Sequence, residues 1–203
     1  MGVVLTHGHL DHFLDLLTLG YALAYNPVAA DRRLPLGLPP GGLALLDRLA
    51  QAVLGHADTD EFLSVFDANQ YDPDASLTIA ELDFHFHPTV HYVPCWAVRI
   101  SNGLDGGLFY TADTGPAANL AAVATGSHLV IAEGTDRGIS HEPYESRGHM
   151  TPAEAGALAR DAAGAISPLV GDDPFRAVKE ASQIFGGPVE LAAPGLRLRW
   201  QAD

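Results

Sequence analysis

The chain has 203 residues, 47% hydrophobic and 18% charged, a globular balance with length enough for one domain and its own core. Eleven Lys+Arg against 25 Asp+Glu give a formal net charge of −14, which repels long polyanions and favours small or compact substrates; Arg32-Arg33 is the only adjacent basic pair. No apolar run reaches the ~20 residues that span a bilayer, no secretory leader pattern opens the chain, and one cysteine, Cys95, excludes an internal disulfide framework, so a cytoplasmic setting is expected.

Val3 to Thr6 (VVLT) reads as a short buried strand, apolar and β-branched. It runs into HGHLDH, His7 to His12, and Phe13 to Ala24 then shows helical spacing of large apolar residues. The Pro/Gly-rich stretch Leu34 to Gly42 reads as a loop, neither helix nor central strand. Modest helices are predicted near 43–54 and 59–66. From Ser76 the pattern turns to β. Leu82, Phe84 and Phe86 alternate with Asp83, His85 and His87, and CWAVRI and GLFYTA read as a hairpin around SNGLDGG, whose Asn-Gly and Asp-Gly pairs are turn signals. His128 to Glu133 is another short buried strand. Thr151-Pro152-Ala153-Glu154 supplies an N-cap, a proline at N1 and a capping-box glutamate at N3. Asp173, Pro174 and the stop at Gly186 frame a last helix. Strand and helix alternate with no linker or repeat, which predicts a single α/β domain over 1–203.

Imidazole nitrogen and carboxylate oxygen are preferred ligands of zinc and similar divalent ions. His7 and His9 lie two apart just past a strand end, so extended backbone turns both side chains the same way. Asp11 and His12 follow one turn later, as the chain enters a helix. Four donors on such a turn can serve two metal sites a few ångströms apart. The plainer alternative is a polar, histidine-rich capping loop.

THGHLDH resembles the signature of the metallo-β-lactamase-fold hydrolases, and the downstream order resembles their ribonuclease Z and small-phosphodiesterase branch. HYVPCWAVRI (His91 to Ile100) resembles that branch's third metal histidine before a strand. YTADTGP (Tyr110 to Pro116) is similar to its Gly-Asp-Thr segment, with Ala112 where glycine is usual. IAEGT, GHMTPAEAG and the closing GGPVELAAPGLRLRW resemble the branch's later motifs. The resemblance runs from about Val3 to the C-terminus and implies an αββα sandwich. It implies that His7, His9 and His91 bind a first metal, that Asp11 and His12 bind a second, and that Asp113 bridges both. The cofactor is then one or two Zn2+, with Mn2+ or Fe2+ as alternatives. Such ions acidify a water and polarise a phosphoryl oxygen. Asp11 would orient or deprotonate that water, and His149 would protonate the leaving oxygen or stabilise the pentavalent phosphorus. Plainer readings exist for each: His91 as a hydrogen-bonded histidine, Asp113 as a turn residue, His149 as a residue before an N-cap. His85 and His87 read as solvated or supporting, His141 as exposed, and Cys95 as a core residue.

Two departures from the family pattern stand out. Members carry several strands before the histidine motif, whereas here only MGVVL precedes it. The sandwich is therefore expected to be incomplete at its N-terminal end, with apolar surface left for a second chain, a rearrangement or an upstream segment to cover. The family's last metal histidine lies on a strand between the two C-terminal helices, but LARDAAGAISPLVGDDPF holds no histidine and too few residues for a strand. A weakened second metal site is expected. The expected activity is hydrolysis of a small phosphodiester such as a cyclic nucleotide. The alternatives are 3′ processing of a tRNA precursor, or an impaired remnant that binds metal or a partner. No membrane partner is expected, and exposed sheet makes a homodimer plausible.

Overall fold

The structure, a computed structural model, describes residues 1–25, 33–54, 59, 62–103, 106–136, 138, 141–162, 166–167 and 174–198. The chain divides into two compact units, Met1–Ala80 and Glu81–Asp203.

The first unit contains β1 (Val3–Val4), α1 (Leu10–Phe13), α2 (Asp15–Ala24), β2 (Leu34–Leu38), α3 (Gly42–Leu54), β3 (Phe66–Gln70) and β4 (Leu77–Ile79). β1, β2 and β3 form a parallel sheet with β2 in the middle. This corrects the loop expected over Leu34 to Gly42. The physical reason lies in where the proline falls. Leu34 N–H bonds Val65 O and Tyr71 N–H bonds Leu38 O on the β3 side, while Leu5 N–H bonds Gly37 O on the β1 side. By alternation Pro35 faces β1, whose pairing begins only at Val3 with Leu36. The N–H that proline lacks would thus point past the end of the ladder. The helix expected near 59–66 is present at the described residues 59 and 62–64 and stops before Phe66, which begins β3. FDANQ alternates Phe66 and Ala68, which face the core, with Asp67 and Asn69, which face outward; the run is too short to stand out in the sequence, and bonding to β2 fixes it as a strand. Leu5, Phe13, Leu16, Leu36, Leu38, Leu46, Ala50, Phe62 and Phe66 make this unit's core.

The second unit contains β5 (Leu82–Pro88), β6 (Trp96–Ser101), β7 (Leu108–Tyr110), a 3-10 turn at Pro116–Ala118, α4 (Ala121–Ala124), β8 (Leu129–Ile131), α5 (Pro152–Asp161), β9 (Ile166–Ser167) and α6 (Pro174–Phe185). β5, β6 and β7 are antiparallel, and β8 and β9 continue the sheet in parallel. Phe84 and Phe86 are buried and His85 is exposed, as the alternation predicts. β9 corrects the expectation that no strand fits between the last two helices: Ile166 and Ser167 pair with Val130 and Ile131. Two residues suffice, because a parallel neighbour supplies the hydrogen bonds and a crossover helix closes the unit. The core joins Ala97, Phe109 and Val130 of the sheet to Leu120, Ala124, Ala155 and Ala181 of the helices. The capping box on α5 forms as expected: Glu154 N–H bonds Thr151 Oγ1 and Thr151 N–H bonds Glu154 Oε2. Asp173, the expected cap of α6, lies outside the described residues. Gly186 ends that helix at φ +83°. Among the described residues no helix is long and apolar enough to cross a membrane.

Candidate metal centre

In the first unit β1 delivers the chain into the histidine cluster, and the turn into α1 gathers three imidazoles. His7 is fully buried, and its Nδ1 shares a hydrogen bond with Thr6 Oγ1 at 3.0 Å. The His7 ring lies 5.0 Å from that of His9 and 4.3 Å from that of His12, centroid to centroid. His9 occupies the N-cap of α1 with extended backbone, which keeps it on the strand side of the turn. Asp11 is 79% exposed and sets Oδ2 at 3.4 Å from His12 Nε2.

In the second unit the loop between β5 and β6 carries His91, and the loop after β7 carries Asp113. Thr89 Oγ1–H and Cys95 Sγ–H both donate to the Asp113 carbonyl, tying the two loops together. His91 Nδ1 lies 2.8 Å from Gly148 O. A carbonyl can only accept, so Nδ1 carries the proton and Nε2 presents a lone pair. That Nε2 faces Asp113 Oδ2 at 3.7 Å. Two electron-rich atoms turned toward each other on a buried side chain need a proton or a cation between them. A histidine fixed by a backbone carbonyl through its other nitrogen is the usual preparation of a metal ligand.

Beside this pair stands His149, its ring 5.0 Å from that of His91. Its Nδ1–H donates to Glu133 Oε1 at 3.0 Å. Glu133 is buried and also accepts from Thr114 N–H and Thr135 N–H, both at 2.9 Å. The Glu133 hydrogen bond, against the opposing effect of burial, holds the His149 imidazole above its ordinary range and favours the imidazolium. Gly115 lets these loops meet: a Cβ there would come within 1.6 Å of Arg147 O.

The Beta-lactamase superfamily domain family matches residues 1–170. The chain belongs to the beta-lactamase superfamily. It is 30% identical over 206 residues to the probable metallo-hydrolase YhfI of Bacillus subtilis, covering 95% of this chain and 76% of that protein. The crystal structure of YhfI, a metallo-beta-lactamase fold protein, superposes with a TM-score of 0.76 at 26% identity, covering 96% of this chain and 76% of that one. A diphosphatase of the PhnP family (TM-score 0.64, 16% identity, 97% and 69% covered) and the short form of human tRNase Z (0.63, 14%, 99% and 79%) share the fold. The expected fold class is therefore the observed one, a metallo-β-lactamase-type α/β fold.

Within this superfamily chain, membership and the histidine–carboxylate donors together imply a divalent metal ion. The first unit brings His7, His9 and His12 together and leaves Asp11 mostly in solvent. The second brings together His91, Asp113 and His149. His85 is exposed on β5; His87 packs near Phe109, and burial, then His85 and Arg99, lower its basicity. His141 is exposed. Cys95 is a core thiol pushed up to about 11, chiefly by burial. Glu133 was not singled out from sequence as a working residue, although its place at the end of an apolar strand was visible. What marks it is its bond to His149. Ala112 adopts φ +51° while fully buried, which explains why glycine suits this position.

Proposed function

We propose that the chain is a metal-dependent phosphodiesterase acting on a small substrate such as a cyclic nucleotide. The observation that carries the reading is the pairing of His91 Nε2 with Asp113 Oδ2 beside His149, whose Nδ1–H donates to Glu133. In this reading, as the family resemblance implies, His7, His9 and His91 would hold a first divalent ion, Asp11 and His12 would contribute to a second, weaker one, and Asp113 would serve both. Zn2+ suits the imidazole-rich set, with Mn2+ or Fe2+ as alternatives. The ion, when bound, lowers the pKa of water and polarises a phosphoryl oxygen.

The chain's own residues do the rest. Gly148 O holds His91 in the tautomer that offers Nε2. Asp11, exposed and beside His12, orients the attacking water. His149 donates the proton that the leaving oxygen needs, and Glu133 keeps that imidazolium charged and aimed. The net charge of −14 favours a compact phosphodiester over a long polyanion, and 3′ processing of a tRNA precursor is the alternative. A cytoplasmic location fits a single buried thiol.

The test compares cleavage of bis(p-nitrophenyl) phosphate, a nucleoside 3′,5′-cyclic phosphate and a tRNA precursor by metal-loaded protein. Preferential turnover of the small diesters is expected. Preference for the precursor would overturn the choice of substrate, and absence of all three activities would overturn the enzyme reading.

A further inference from the structure

Tyr92 follows the proposed ligand His91, yet it is 54% exposed. An exposed tyrosine normally swings about two side-chain torsions; this one is held on several sides. Its hydroxyl donates to the Glu142 carboxylate, 3.0 and 2.9 Å from the two oxygens. Its ring lies 5.1 Å from the His91 ring and 5.7 Å from the His149 ring, tilted against both. One face of the ring rests on Gly148, where a Cβ would come within 2.6 to 2.9 Å of three adjacent ring atoms, which leaves the opposite face for a ligand. Any larger residue at position 148 would therefore displace the ring. The backbone that fixes His91 and the ring that flanks it share one support.

We propose that Tyr92 is a preorganised stacking platform for an uncharged nucleobase of the substrate, set beside the His91 and His149 side chains that handle its phosphate. A rigid aromatic face offers contact area at little cost in side-chain freedom. The ring centroid lies 5.1 and 5.7 Å from those of the two imidazoles, close enough for one mononucleotide to place its base on the ring and its phosphate at the histidines. The Glu142 carboxylate beside the ring repels a second phosphate there, which selects a neutral ring over an anionic group. Stacking on an aromatic face tolerates different bases, so the platform predicts preference for nucleotides as a class.

The inference rests on the phosphodiesterase reading, and its test separates the two. Metal-loaded wild type, Tyr92→Leu and Tyr92→Phe are assayed on a nucleoside 3′,5′-cyclic phosphate and on the base-free methyl riboside 3′,5′-cyclic phosphate. Binding of a nucleoside 5′-monophosphate, which needs no turnover, is measured by calorimetry. Tyr92→Leu is expected to raise KM for the nucleotide and weaken monophosphate binding by about tenfold. Its kcat and its activity on the riboside stay within about twofold, and Tyr92→Phe, which keeps the ring, stays near wild type on every readout. Equal losses on both substrates, unchanged nucleotide KM in Tyr92→Leu, or no monophosphate binding by wild type would overturn the platform. Nucleotide binding that depends on Tyr92 without hydrolysis of any diester would overturn the phosphodiesterase reading and leave the platform standing.

Discussion

Single side chains do their work here through what fixes them. Glu133 accepts three hydrogen bonds, two from backbone and one from His149, so its carboxylate is held still. Glu133→Gln removes the charge and keeps the shape. The expected result is a loss of about 10- to 100-fold in kcat with KM changed little, as seen when groups that orient working histidines are altered. Equal kcat in wild type and variant would show that His149 needs no such partner. Cys95 gives a pH test. Its thiol is at about 11 in the folded chain, above its ordinary value of 9.0. The unfolded chain thus releases this proton first, and stability that is intact below pH 9 declines as pH rises toward 11, by about 2–3 kcal/mol. Urea unfolding at pH 7.5, 9 and 10.5 should show a steeper decline in wild type than in Cys95→Ala. Parallel curves would mean that the buried thiol contributes nothing to the pH dependence.

Elements in this chain are short and are closed by local chemistry or by neighbours. The reciprocal Thr151–Glu154 bonds settle two amide donors at the start of α5, directly after His149. Thr151→Ala should therefore cost about 1 kcal/mol in denaturant unfolding. A loss below a few tenths would show that the Arg147–Glu154 ion pair holds this end of the helix by itself. β2 carries a different lesson. LPLGL reads as a loop because proline and glycine break most strands, yet its hydrogen bonds fall where proline has nothing to lose. β9, two residues long, has no period of its own and exists by pairing with β8.

At the scale of the whole molecule, charge and metal are the relevant quantities. With 25 acidic against 11 basic side chains, binding to RNA should be undetectable by mobility shift even at low salt. A salt-sensitive RNA complex would revive the tRNA-precursor alternative. The proposed metal ligands come from distant parts of the sequence. An ion present at about 100 times its dissociation constant adds roughly 2.7 kcal/mol to the native state. Chelation should lower Tm by about 5–10 °C. Metal analysis should find close to one tightly held ion per chain, because no histidine lies between α5 and α6 to complete the second position. Two ions of equal affinity would refute the weakened second site, and an unchanged Tm on chelation would refute the metal's structural contribution.

By itself the sequence determined the donors, the antiparallel hairpin, the alternating face of β5 and the capping box, and it resembled the superfamily to which the chain belongs. Each of these is written in side-chain identity over a few residues, where period, turn chemistry and ligand type speak directly. Tertiary structure alone decided that Leu34–Leu38 is a central strand, that Glu133 holds His149, that Gly148 O sets the tautomer of His91, and that Tyr92 lies pinned yet exposed beside both histidines. Those outcomes depend on backbone groups and partners brought in from elsewhere in the chain. A backbone carbonyl has no letter in a sequence, so its direction is decided only when the chain is folded.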